Sequence, residues 1–217
     1  MSSDIAFPDD YFGKPENLEL PTKEVLNKLV DKLKRRLVDF LESLPENATV
    51  LDAGCGRGKT LLLIRVFRPD IKVYAMDITD VSEFIKPYAP DFRVGTVDKL
   101  ETLFDENMFD AVICQHVLEH LLYPLKAING FKSILKNGGK LFIETPNWVR
   151  GYIPWSRLYF WNDYSHVRLF AKKTFRRLAH DFDFTILSLD AVAMSGLQSH
   201  TILHLWHVAK NHSRTIL

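Results

Sequence analysis

The sequence predicts an α/β fold, a parallel sheet with helices on both faces, and two observations lead to it. From residue 48 onward, short apolar runs alternate with segments of helical periodicity, the pattern of strands joined by crossover helices. The first run also passes straight into a glycine-rich turn, Asp52-Ala53-Gly54-Cys55-Gly56-Arg57-Gly58, and then into a helical pattern. Open parallel sheets bind ligands beyond the carboxyl ends of their strands, where such turns lie.

Residues 1–21 read as irregular, with Pro8, Gly13, Pro15 and Pro21 as breakers. Thr22 is placed to cap an amphipathic helix that runs to Leu44. Its apolar positions, among them Val25, Leu29, Leu33, Leu37, Phe40, Leu41 and Leu44, recur at helical spacing, with lysines and arginines on a solvated face. Strands are expected at Ala48–Leu51, Ile71–Met76, Phe92–Val94, Phe109–Cys114 and Lys140–Ile143. Helices are expected between them at about 59–67, 80–88 and 121–136. The last of these stops at Lys136-Asn137-Gly138-Gly139. A helix at about 172–181 precedes two further strand candidates, Phe184–Leu189 and Ile202–Ala209.

Composition narrows the function classes. The 217 residues suit one domain with a sizeable core. With 28 basic against 27 acidic side chains the net charge is +1, which gives no electrostatic footprint for nucleic acid. The start, MSSDIAFPDDYF, lacks the basic and apolar regions of a signal peptide. No apolar run reaches the roughly 18 residues of a spanning helix. Two cysteines, Cys55 and Cys114, make no disulfide framework, so a cytoplasmic setting is expected and both thiols read as small buried fillers.

The glycine turn invites two readings. Ala53-Gly54-Cys55-Gly56-Arg57-Gly58-Lys59-Thr60 matches a loosened phosphate loop, with Lys59 for terminal phosphates and Thr60 for magnesium. Against it, the strict pattern's first glycine is replaced by Ala53, and Asp52 brings negative charge toward a polyphosphate. A nicotinamide fingerprint fits poorly because the spacing is G-x-G-x-G. A nucleoside bearing an amino acid explains more. Its ammonium group suits Asp52, and its ribose diol suits Asp77 at the end of the second strand run.

Five stretches in order then carry a family resemblance. Val50-Leu51-Asp52-Ala53-Gly54-Cys55-Gly56-Arg57-Gly58 resembles the first motif of class I S-adenosylmethionine-dependent methyltransferases, and Val73-Tyr74-Ala75-Met76-Asp77 resembles their second strand. Phe109 to Cys114 followed by Gln115-His116-Val117-Leu118-Glu119-His120-Leu121 resembles the fourth-strand signature of the ubiquinone-type, small-molecule branch. Leu135 to Leu141 resembles the turn into the fifth strand, and His166-Val167-Arg168-Leu169-Phe170 resembles an element before the last long helix. The resemblance covers about 45–210 and implies a Rossmann-like, doubly wound, mostly parallel seven-stranded sheet with one antiparallel strand near the C-terminus. The resemblance also implies a division into residues 1–44, a cap segment with the amphipathic helix, and 45–210, the methyltransferase domain.

The implied cofactor is S-adenosyl-L-methionine, held by Asp52, Gly54, Cys55, Gly56, Asp77, Ile78 and Gln115, with Thr96, Val97 and Asp98 around the adenine. Relatives often carry Gly-Asp-Ala at the end of the third strand, whereas this chain reads Gly95-Thr96-Val97-Asp98. A Thr96 hydroxyl, a Val97 backbone contact or a shifted Asp98 each answers that need. His116 and His166 are the candidate proton acceptors for an oxygen or nitrogen nucleophile. For each, a purely structural tie is about as strong a reading, and Glu119 and His120 read as support for His116. No metal is expected. Cys55, Cys114, His116 and His120 have no CxxC or HExxH spacing, and on a strand His207 faces away from His200 and His204.

Residues 147–170, NWVRGYIPWSRLYFWNDYSHVRLF, concentrate aromatic side chains with interleaved arginines. They read as a lid over an acceptor, with Trp148, Arg150, Tyr164 and Arg168 as its binding residues, and Phe7, Tyr11 and Phe12 could cover the same mouth. A small apolar subdomain, a homo-oligomer contact and peripheral docking on a membrane stay open for this segment. The resulting reading is transfer of a methyl group, chiefly to oxygen, of a small-molecule, lipid-linked or glycan-linked acceptor. The alternatives are a phosphate-loop nucleotide-binding enzyme and a non-catalytic cofactor-binding module of the same fold.

Overall fold

The computed structural model describes residues 22–24, 32–147, 160–193 and 199–207. Among the described residues lie the α-helices α1 (Lys32–Glu42), α2 (Lys59–Phe67), α3 (Ser82–Ile85), α4 (Pro124–Ile134) and α5 (Lys172–Asp181). Seven strands accompany them: β1 (Thr49–Ala53), β2 (Lys72–Asp77), β3 (Asp91–Val94), β4 (Phe109–Gln115), β5 (Leu135–Pro146), β6 (Phe184–Ala193) and β7 (Ser199–His207). They form one sheet in the order β3-β2-β1-β4-β5-β7-β6. β1 to β5 pair in parallel, and β7 runs antiparallel to both of its neighbours. This is the doubly wound sheet the sequence predicts, with its single antiparallel strand.

The central strands divide their side chains by parity. Val50, Val73, Ala75, Ala111, Ile113 and Phe142 pack with Leu37, Leu41, Leu61 and Ile64 of α1 and α2 on one face. Leu51, Tyr74, Met76, Val112, Leu141 and Ile143 pack with Ile128 and Phe131 of α4 and Phe175 of α5 on the other. Burial on both faces is why these strands read as continuous apolar runs rather than alternating ones. Chain order reverses between β1 and β4, so their carboxyl ends open the crevice where ligands bind in this class of sheet.

Several element boundaries differ from expectation, among them β5, which spans Leu135–Pro146, and β6, which runs to Ala193; three have a local reason. The helix expected at 80–88 shortens to α3, because Pro87 has no N–H to extend it and Asp80 Oδ1 accepts the Ser82 N–H instead. The helix expected at 121–136 starts at Pro124, whose missing N–H costs nothing at the first turn, and gives way to β5 at Leu135. β1 runs on to Ala53, which carries Asp52 inside the strand. Of the long first helix, residues 25–31 lie outside the described residues.

Arg68 locks the far end of the sheet. Its guanidinium donates to the carbonyls of Leu41, Leu44 and Pro45 at 2.6, 3.1 and 2.7 Å, closing the exit from α1, and pairs with Asp70 at 2.7 Å. Among the described residues no helix is long and apolar enough to cross a membrane.

Candidate functional site

The glycine turn is fixed to β2 by its backbone. Gly54 and Cys55 N–H groups donate to the Met76 carbonyl at 2.9 and 3.0 Å. Gly54 adopts φ +87°, and a Cβ there would overlap Val117 Cγ2, so conformation and space both demand glycine. At Gly56, φ is +48° and a Cβ would meet nothing within 4 Å; the turn there faces open cavity. Its N–H donates to Asp77 Oδ2 at 2.9 Å, while Asp77 Oδ1 accepts from Thr79 N–H at 3.0 Å. Each carboxylate oxygen keeps a further lone pair for a ligand hydroxyl.

Asp52 is buried beneath this turn, 2% exposed, and its Oδ2 has no hydrogen-bond partner among the described residues. Burial, and then the Asp77 charge, push its carboxyl up to about 8. A buried carboxyl with one idle oxygen is prepared for a cationic group. Burial, followed by the charges of Asp52 and Asp77, also raises the Cys55 thiol far above its ordinary range, so it is a filler here and not a nucleophile.

A cavity of about 660 Å³ opens over the turn. Of the ten residues expected at the cofactor, Gly54, Gly56, Asp77, Ile78, Thr96, Val97, Asp98 and Gln115 line it; Asp52 and Cys55 do not. The Thr96 hydroxyl is buried without a partner among the described residues, so this threonine brings an idle polar group to that wall. Val117, His120, Leu121, Leu122 and Tyr123 continue the wall beyond Gln115 and His116.

Gln115 and His116 end β4 in a network that joins three elements. Thr60 Oγ1 donates to Gln115 Oε1 at 2.8 Å, and Gln115 Nε2 donates to Glu144 Oε2 at 2.7 Å. His116 takes φ +55°, and its N–H donates to the Glu144 carbonyl at 2.9 Å. Its Nε2 lies 3.1 Å from Glu144 Oε1 and its Nδ1 3.3 Å from Glu119 Oε1, both acids being buried. Burial pulls this imidazole's pKa down, but the hydrogen bonds and charges of Glu119 and Glu144 outweigh it and carry it up to about 10. The side chain is 42% exposed, yet both nitrogens are turned to the acids. As a doubly paired cation, His116 has no lone pair to accept a proton, which runs against the expected base role.

His166 is placed differently. Its Nδ1 donates to the Phe160 carbonyl at 2.7 Å, and its ring stacks on Phe160 at 4.4 Å and meets the His120 ring at 4.7 Å. It does not line the cavity. Tyr164 stands 99% exposed and also off the lining, so the acceptor role expected for it finds no contact there. Arg168 Nη2 donates to the Leu122 carbonyl at 3.3 Å, bracing the cavity wall. Trp148 and Arg150 lie outside the described residues, as do Phe7, Tyr11 and Phe12.

Glu144 is the residue that sequence reasoning missed. Its signal was an acid at the carboxyl end of an apolar strand run, in Glu144-Thr145-Pro146-Asn147, where a buried charge needs a functional or pairing reason. Thr60, read as a helix start, does begin α2 but also anchors Gln115. With its hydroxyl so engaged and Asp52 buried below, the turn does not suit magnesium and polyphosphate. Among the described residues, Glu119, His120 and His166 bring one ligating atom each within 4.8 Å of one another.

Comparison with known proteins adds to this geometry. A family model described as a methyltransferase domain matches residues 25–189. An uncharacterized protein of Methanocaldococcus jannaschii is 33% identical over 142 residues, 64% of this chain and 60% of the relative. A ubiquinone biosynthesis O-methyltransferase of Xanthomonas axonopodis is 38% identical over 112 residues, 48% of this chain and 45% of that enzyme. The chain thus spans less than two thirds of the length of these curated relatives. Among solved structures, the 1,6-didemethyltoxoflavin-N1-methyltransferase of Burkholderia thailandensis, with bound 1,6-didemethyltoxoflavin and S-adenosylhomocysteine, aligns with a TM-score of 0.63 at 18% identity. The alignment covers 84% of this chain and 81% of that one, a likeness of fold.

Proposed function

The chain belongs to the class I S-adenosylmethionine-dependent methyltransferases, and from that premise we propose that it methylates oxygen on a small molecule carrying an apolar portion. The residues fit the cofactor. Asp52, with its idle buried oxygen, suits the ammonium group; the Asp77 lone pairs suit the ribose diol; Thr96, Val97 and Asp98 suit the adenine edge. When bound, the cofactor supplies an electrophilic methyl on a sulfonium. The protein's part is to orient, to exclude water and to manage one proton.

The observation that carries the acceptor reading is the continuation of the cavity past Gln115 to Leu121, Leu122 and Tyr123. Leu122 and Tyr123 expose 68 and 62% of their surface at that mouth. Apolar side chains left in water at a cavity rim suit an acceptor with an apolar tail, whether free or lipid-linked. Oxygen as the target is supported by the Xanthomonas relatives, whose names specify O-methyl transfer. A cytoplasmic setting belongs to the same reading, with Cys55 and Cys114 as free thiols.

Calorimetry with S-adenosylhomocysteine and tritiated-methyl transfer to fractionated cell extract test it. Wild type should bind, Asp77→Ala should bind at least about tenfold more weakly, and label should enter the apolar fractions. Label confined to protein or to polar amines would overturn the acceptor assignment.

A further inference from the structure

We propose that His120 is the proton acceptor of the transfer, held in its working tautomer by Ser165 and Asp163. The inference rests on the methyl-transfer reading above and names the base that reading needs.

The hydrogen-bond chain fixes the protons. Asp163 Oδ1 receives the Ser165 hydroxyl at 2.5 Å and the Ser165 N–H at 2.9 Å. These bonds hold the Asp163 carboxyl below its ordinary range, so it stays an anion and can only accept. The one hydroxyl hydrogen of Ser165 is therefore committed to Asp163. Ser165 Oγ lies 2.9 Å from His120 Nδ1 and has only lone pairs to offer it. Nδ1 must carry the hydrogen, and the lone pair of the neutral ring sits on Nε2.

Among the imidazoles gathered here, His120 alone combines that lone pair with a place in the cavity wall. His116 lines the cavity but has both nitrogens turned to acids. His166 gives its Nδ1 hydrogen to the Phe160 carbonyl, its Nε2 faces Asp163 Oδ2 at 3.8 Å, and its ring is stacked on Phe160 off the lining. His120 stands beyond Val117 and beside Leu121 in the lining.

The surrounding bonds hold the ring in place. Val167 N–H donates to the Glu119 carbonyl at 2.9 Å and Arg168 to the Leu122 carbonyl, clamping the segment that bears Asp163 and Ser165 against residues 119–122. Glu119 is 1% exposed and its Oε2 has no partner among the described residues. It lies within 4.8 Å of both histidines' ligating atoms and stabilises the positive charge His120 acquires. In the reacting complex the acceptor's O–H proton passes to Nε2 as oxygen bonds to the methyl carbon. The carbon–sulfur bond breaks with its electron pair left on sulfur, and His120 afterwards returns the proton to water.

Histidine nitrogen NMR of the full chain with S-adenosylhomocysteine tests the tautomer without any acceptor. His120 should show Nδ1 protonated and Nε2 bare, and Ser165→Ala should release it into a mixture of tautomers. His120→Gln should keep S-adenosylhomocysteine affinity within roughly twofold while tritiated-methyl incorporation into extract falls by about a hundredfold or more. Three results would overturn the assignment. They are a wild-type His120 protonated on Nε2, full incorporation by His120→Gln, and a divalent ion retained through dialysis against chelator, which would occupy the lone pair. Loss of S-adenosylhomocysteine binding by the wild type would instead strike the methyl-transfer reading, a separable outcome.

Discussion

His116 Nε2 and Glu144 Oε1 lie 3.1 Å apart, joining the ends of two neighbouring parallel strands beside the cavity. With Glu119 on the ring's other nitrogen, the histidine is a cation between two buried acids. An uncharged side chain in its place would leave those acids facing each other uncompensated.

His116→Gln should therefore destabilise the fold by about 2 kcal/mol at pH 6, allowing for the ring's partial exposure. The folded-state pKa is raised to about 10 from 6.5, so the folded state binds the extra proton between those values. The stabilisation is complete below about pH 6.5 and fades as pH climbs toward 10. Thermal melts of wild type and variant should differ most at pH 6 and converge by pH 10. A constant gap across that range would mean the ring is not charged in the folded protein.

Gly54→Ala should cost about 2–3 kcal/mol, since it combines a positive φ with a methyl driven into Val117. Adding Val117→Ala removes the overlap and leaves the backbone strain. Denaturant titration should show the double variant recovering part of the loss. Recovery of none would place the whole cost in the backbone.

What the sequence made legible was whatever depends on local order. The apolar runs became strands because both faces of β1, β2 and β4 are covered. Helix α5 came out at residues 172–181, as its periodicity predicts, and Asp77 ended its strand at the cavity. The contacts that decide chemistry were less legible because they depend on register and chain return. Glu144 meets Gln115 through the β4–β5 pairing, and Ser165 reaches His120 across 45 residues. No spacing rule links such positions. Likewise, only the fold could show that the Thr96 hydroxyl is buried and idle among the described residues.

Arg68→Ala should lower stability by about 2–3 kcal/mol without touching cofactor affinity. It strips three helix-exit carbonyls of a charged donor and leaves Asp70 only the Asn47 N–H as a partner, at the end of the sheet remote from the cavity. Arg68→Lys should recover little, because one ammonium cannot span the forked set of acceptors. Melting curves read alongside S-adenosylhomocysteine calorimetry would separate the two effects, and an affinity loss matching the stability loss would contradict the remoteness of the site.

One proton on Asp52 links the stability of the fold to the proposed cofactor site. Burial, then the neighbouring Asp77, raises its pKa from 3.8 to about 8. Between those values the folded chain holds a proton that the unfolded chain has lost, so this residue's contribution to stability falls as pH rises and levels off above about 8. Asp52→Asn cannot ionise and should exceed wild type in stability by about 1–3 kcal/mol at pH 8.5, with little difference near pH 4. Function should pay in the opposite direction. If the cofactor's ammonium pairs with an ionised Asp52, binding at pH 7 must expel close to one proton, which calorimetry in buffers of different ionisation heat reads directly. Asp52→Asn should abolish that release and weaken S-adenosylhomocysteine by about tenfold or more. Binding by wild type with no proton released at pH 7 would show that the ammonium sits elsewhere.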